Sequence, residues 1–256
     1  MGIRQEHWSV GERPSLDLRV PAGTIEVRNG AAGQVDLSLD SSSADEFEVS
    51  AVGDMIVVHH PSRWTMRGRS CRLVLTVPAG SDVAVDAASA EVRLTGTFGA
   101  VRVRTASGDI TLGDVLRLDA STASGDISVG SVVGDARVTA ISGDCAAQTV
   151  GGRLEATLTS GDLRVERCNG DVEVASTSGS ARINHCGGSE IALRSMSGDL
   201  RVGLPTGIRV AADLSTISGT ARLPEPAGAG STPDQRREVR LRLKTVSGDL
   251  RVERSG

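Results

Sequence analysis

Short alternations of apolar and polar residues recur at a fixed interval through the middle of the chain. Between residues 125 and 188 a glycine falls every nine residues, at Gly125, Gly134, Gly143, Gly152, Gly161, Gly170, Gly179 and Gly188. One full unit, Ser160 to Thr177, reads SGDLRVERCNGDVEVAST. Leu163, Val165, Val172 and Val174 point one way in its two halves while Arg164, Glu166 and Glu173 point the other, the period of a strand with one buried face. Each half predicts a turn followed by a strand. A fixed period also means that each unit buries its apolar edge only by stacking on the next copy.

A longer marker, Ser-Gly-Asp, begins at Ser107, Ser124, Ser142, Ser160, Ser197 and Ser247, with the variants Ser178-Gly179-Ser180 and Ser218-Gly219-Thr220. The successive spacings of 17, 18, 18, 18, 19, 21 and 29 define a coil of about 18 residues, with insertions in the later corners. A three-sided hexapeptide helix would need an inward aliphatic every six residues, whereas the beat here is nine. The pattern therefore predicts an all-β fold, a flattened two-faced β-solenoid.

Residues 1–86 read as β-rich but off this beat, forming an N-terminal capping segment ahead of solenoid repeats over 87–256. Short runs such as LDLRV, TIEVR, QVDLSL and CRLVLTV are separated by turn residues, and the phrase Val20-Pro21-Ala22-Gly23 returns as Val77-Pro78-Ala79-Gly80, which reads as two equivalent corners. Trp8, Trp64 and Phe47 lie in this segment and are expected to plug the first coil. Residues 224–237, PEPAGAGSTPDQRR, read as a projecting loop, because EVRLRLKT and another SGDLRV follow it. The chain stops in mid-repeat at SGDLRVERSG, so its C-terminal repeat is expected to present unpaired backbone groups to solvent or to another chain.

Composition sharpens the picture. Aromatic residues make up 2% of the chain, so the interior must be a thin stack of Val, Leu, Ile and Ala, and 31 glycines suit a fold with two corners per coil. The net charge is −4, and the basic residues, all Arg except Lys244, are spread along the strands, which argues against nucleic-acid binding. MGIRQEHWSV lacks a basic stretch followed by an apolar run, and no apolar segment is long enough to span a bilayer. The expected location is the cytoplasm, without direct membrane insertion, and with recruitment to a membrane only through a partner.

Few residues offer chemistry. Asp109, Asp126, Asp144, Asp162, Asp199 and Asp249 form a repeat-corner ladder with carboxylates about 4.8 Å apart. Such a column could hold calcium, but the favoured reading is that each Asp accepts hydrogen bonds from its own turn. Cys168 and Cys186 lie 18 residues apart at equivalent positions, so they are expected on adjacent coils as a disulfide or, in a reducing compartment, a stack of free thiols. No zinc spacing surrounds His185, and the consecutive His59 and His60 cannot both face one partner. No catalytic, cofactor or metal residues are assigned, since GxSxG, HExxH and P-loop motifs are absent.

The SGDI and SGDL phrases, the VPAG corners and the β-rich start resemble the bacterial β-strand-repeat family labelled putative adhesin, also described as toastrack-like and common in actinobacteria, over roughly residues 15–256. The resemblance implies a repeat scaffold with no catalytic signature. The reading is a non-enzymatic, adhesin-like binding module that presents stacked strand faces to a protein or envelope partner. The alternatives are a scaffold that self-associates end to end through its C-terminal edge, and a carbohydrate-active β-helix enzyme.

Overall fold

A computed structural model of the chain describes residues 2–61, 71–224 and 238–255. It divides into two compact units, Met1–Gly130 and Ser131–Gly256. Each is wound from strands as the expected two-faced solenoid, and the one helical turn among the described residues is Ala44–Glu46.

The first unit holds β1 (Gly2–Ser9), β2 (Ser15–Asn29), β3 (Gln34–Ser41), β4 (Glu48–Val52), β5 (Met55–His59), β6 (Cys71–Val77), β7 (Asp82–Ser107) and β8 (Ile110–Ser124), and β9 (Ile127–Val132) follows across the unit boundary. Residues that looked aperiodic turn out to be regular coils stacked out of sequence order. The first half of β2 runs parallel to both β5 and β7, with Ser15 opposite Met55 and Asp82, and its second half runs parallel to β6 and β7, with Thr24 opposite Arg72 and Glu91. The coil made by β2 therefore lies between the coil of β5 and β6 and that of β7. The boundary expected at residues 86 and 87 falls inside β7.

Antiparallel strands close the outer end of this stack: β3 on β6, β1 on β3, and β4 on β5. Phe47 is buried there, its ring edge against His60 with centroids 4.8 Å apart, whereas Trp8 on the outermost strand is only half-buried. Trp64 lies outside the described residues. The two VPAG phrases are not equivalent. Val20 to Gly23 sits within β2, while Val77 ends β6 and Pro78 to Gly80 carries the chain past β2 to β7.

The second unit contains β10 (Ala136–Ser142), β11 (Cys145–Val150), β12 (Leu154–Ser160), β13 (Leu163–Cys168), β14 (Val172–Ser178), β15 (Ala181–Cys186), β16 (Glu190–Ser197), β17 (Leu200–Pro205), β18 (Arg209–Ser215), β19 (Ala221–Arg222), β20 (Glu238–Ser247) and β21 (Leu250–Ser255). One face stacks β10, β12, β14, β16, β20 and β18 in parallel. The other stacks β11, β13, β15, β17, β21 and β19. Val165 and Val174 are each 1% exposed, so the alternation read from the repeat points its aliphatic residues into the core between the faces.

The order within these stacks moves the free edge. Leu241 is register partner of both Ile191 and Ala212, so β20 is an interior strand, and β21 is flanked at Leu250 and Arg251 by β17 and β19. The C-terminal repeat fills a space between the coil of β16 and β17 and that of β18 and β19. Among the described residues, the edge expected at the end of the chain therefore lies at β18. The chain leaves that space open at Leu204-Pro205-Thr206-Gly207, where Gly207 adopts φ 78°, much as Gly80 adopts φ 81° at the other crossing. The loop expected over 224–237 lies, apart from Pro224, outside the described residues.

Candidate functional site

The Ser-Gly-Asp corner repeats one hydrogen-bond pattern. Its glycine adopts φ between 123° and 150°, as at Gly161 and Gly219, and a Cβ on Gly161 would lie 2.1 Å from the Gly143 carbonyl oxygen, so only glycine fits. The residue after the Asp resumes the parallel ladder, with Leu163 N–H donating to the Ser180 carbonyl at 2.9 Å. The backbone N–H at the Asp position instead donates to the carboxylate one coil back. Asp126 donates to Asp109 at 3.0 Å, Asp162 to Asp144 at 2.9 Å, Ser180 to Asp162 at 3.0 Å, and Asp249 to Asp199 at 2.9 Å. Thr220 completes the series, donating both its N–H and its hydroxyl to Asp249.

The Asp ladder therefore braces neighbouring coils rather than its own turns. At Asp162 the carboxylate of Asp144 thus serves in place of a backbone acceptor. The opposite edge uses the same device through Asp135, which accepts from Arg153 N–H, and Asp171, which accepts from Ser189 and Glu190. The Glu190 N–H, followed by that of Ser189, holds the Asp171 carboxyl below the usual carboxylate value. Thr220 does the same to Asp249. Among the described residues, no three His, Cys, Asp or Glu side chains come together as a metal-ligand set.

Cys168 and Cys186 are register partners on β13 and β15, and both are fully buried free thiols. Cys168 donates to the Gly170 carbonyl at 3.5 Å. Its hydrogen bond with Cys186, together with burial, pushes the Cys168 thiol well above its ordinary pKa, and burial pushes Cys71 up to about 12. Neither cysteine is poised as a nucleophile, since it is the thiolate that reacts. His185 is engaged with the Ser255 hydroxyl at 2.8 Å, His7 with Asp36 at 2.6 Å and His59 with Asp17 at 3.1 Å.

One face carries a column of arginines whose membership could not be read from the sequence. Arg residues that look dispersed are brought into register by the coil: Arg164 is opposite Arg182, Arg182 opposite Arg201, Arg201 opposite Arg251, and Arg251 opposite Arg222. Five arginines thus stand in register on one face, on strands about 4.8 Å apart. Aligning the chain at its 18-residue period would have placed Arg164 over Arg182, but the position of Arg251 between Arg201 and Arg222 depends on the altered coil order.

Acids flank this column, but unevenly. Arg164 pairs with Asp144 at 3.4 Å and Asp162 at 3.0 Å, Arg251 with Glu253 at 3.1 Å, and Arg201 with Asp199 at 3.7 Å. On β15 the Asp of the marker is replaced by Ser180 and the counterpart of Glu166 is Asn184, whose side-chain amide donates to Glu166 at 2.7 Å. Arg182 consequently makes no ion pair among the described residues. A depression of ≈ 330 Å³ lies beside it over Gly203, lined also by Asn184, Arg201, Glu253 and Arg254. A second, of ≈ 170 Å³, is lined by Arg164, Arg182 and Arg201 with Asp162, Ser180 and Asp199.

Comparison with known proteins agrees with this architecture. A family model described as Toastrack DUF4097 matches residues 12–255. A solved structure from Bacteroides fragilis, described as a putative adhesin, superposes with a TM-score of 0.51 at 12% identity, covering 98% of this chain and 97% of its own. One from Parabacteroides distasonis, described as a putative lipid binding protein, gives 0.46 at 11% identity, with 98% and 97% covered. A putative adhesin from the same species gives 0.39 at 9% identity over the same shares. At such identity the Bacteroides likeness is one of fold. No curated protein matches the chain.

Proposed function

The chain belongs to the toastrack DUF4097 family, and from that premise we propose that it is a non-enzymatic binding scaffold, presenting its stacked strand faces to a protein or cell-envelope partner. One observation carries this reading: outward side chains on successive coils stand in register, so a partner meets continuous columns, among them the five arginines from Arg164 to Arg222. Strands held on both sides by ladder bonds and by corner carboxylates keep such columns fixed before binding, which lowers the ordering cost of association. The corner carboxylates follow the repeat and accept from backbone donors. Sedimentation with purified bacterial envelope fragments and turnover on a polysaccharide panel test the reading together. Salt-sensitive co-sedimentation without turnover is expected; turnover abolished by one carboxylate substitution would overturn it.

A second reading, self-association, is favoured by the end of the second unit. Register with Val239, Leu241 and Leu243 turns Val210, Ala212 and Leu214 inward, yet Ala212 is exposed and the other two are only half-buried. Among the described residues no strand pairs with the other side of β18. A second copy of the chain laid against β18 would satisfy that backbone and cover this apolar end.

A further inference from the structure

We propose that the arginine column on β13, β15, β17, β21 and β19 is a binding site for a linear acidic polysaccharide, a chain carrying one carboxylate on each sugar. This rests on the scaffold reading above and names the ligand class for one of its faces. The first argument is spacing. Arg164, Arg182, Arg201, Arg251 and Arg222 repeat along the stack at the inter-strand distance of about 4.8 Å. A pyranose ring with its bridging oxygen advances a chain by about one such step, and neighbouring sugars of an extended two-fold chain face opposite sides, so the same-side carboxylates of alternate sugars can meet every second guanidinium group. An extended acidic peptide fits less well, because its same-side residues repeat at roughly 6.6 Å.

The second argument is the mixed chemistry of the face. Guanidinium groups bind carboxylates through paired N–H donors, and Arg182, with no ion pair among the described residues, is available to do so. Beside it stand acceptors rather than further cations: Asp162, Asp199 and Glu253, with Asn184 between them. These suit the hydroxyl groups of a sugar, whereas a DNA strand has almost none to offer them. Its bases would also find no Phe, Tyr or Trp to stack on, since these five strands carry none. The third argument is relief. At Asn184 and Gly203 the acids that flank the column elsewhere are missing on two consecutive coils, and there the surface dips into the ≈ 330 Å³ depression.

The test is fluorescence anisotropy of a labelled oligogalacturonate with the full chain at low salt. Binding is expected, with none for the methyl-esterified oligomer, which keeps the sugars and loses the charge. R182S and R201S should each weaken binding about tenfold. R194S/K244S, on the opposite face of the same unit, should leave it unchanged, and circular dichroism checks that every variant is folded. Failure of the wild-type chain to bind would overturn the assignment, as would equal or tighter binding of polyglutamate or single-stranded DNA. Loss of binding in R194S/K244S but not in R182S/R201S would overturn the arginine column while leaving the scaffold reading intact. Envelope sedimentation tests that broader reading separately.

Discussion

Asp171 shows how a single side chain substitutes for the backbone in this fold. It accepts the N–H groups of Ser189 and Glu190, both at 2.9 Å, and those bonds depress its pKa. A carboxyl depressed in the folded state stabilises the fold above its unfolded pKa of about 3.9, and that contribution disappears as pH falls through the folded value. Asn29 performs the same task without charge, accepting from Thr97 N–H at 2.6 Å. D171N should therefore still fold with its corner intact, but lose the charge-assisted part of the bond. Urea unfolding is expected to show it less stable at neutral pH by roughly 1 kcal/mol, a figure held down by solvent screening of a partly exposed carboxylate. The gap to the wild type should close as pH falls from about 5 towards 2. A constant difference at every pH would assign the effect to packing.

At the scale of the element, the strands were legible because period and alternation are local. Leu163, Val165 and Val174 carry the burial pattern in their spacing, and the nine-residue glycine beat marks the corners of the coil. What the periodicity could not carry was coil order. Parallel strands with the same inward and outward faces can pair with any neighbour of equal register, so nothing in EVRLRLKT says that it lies between β16 and β18. The phrases Pro78-Ala79-Gly80 and Pro205-Thr206-Gly207 mark both crossings, but Pro21-Ala22-Gly23 has the same form inside β2, so the phrase alone does not identify a crossing. The interior position of β20 has a measurable consequence. Removing residues 238–255 takes away the described strands that pair with β18 and β19. Hydrogen exchange at Val210 to Leu214 should then lose its protection, although those residues remain in the chain. Retained protection there would mean that β18 does not depend on β20.

For the molecule as a whole, surface properties emerge from stacking that no segment shows by itself. The net charge of −4 hides five aligned arginines, and the inward-facing Val210, Ala212 and Leu214 become surface only because no described strand follows β18. That uncovered end makes association a question of protein concentration. If a second copy pairs with β18, light scattering over a concentration series should show the mass rising from that of one 26.4 kDa chain towards its double. Placing a lysine at Ala212 would put an inward-pointing charge on the edge strand, a device that blocks edge pairing at little cost to a strand already exposed. A212K should hold the chain as a monomer without lowering its unfolding midpoint, and acidic-oligosaccharide binding should persist, because the arginine column lies on the other face from β18. A wild-type chain that scatters as a monomer throughout the series would eliminate self-association through β18 and leave face binding as the use of the scaffold.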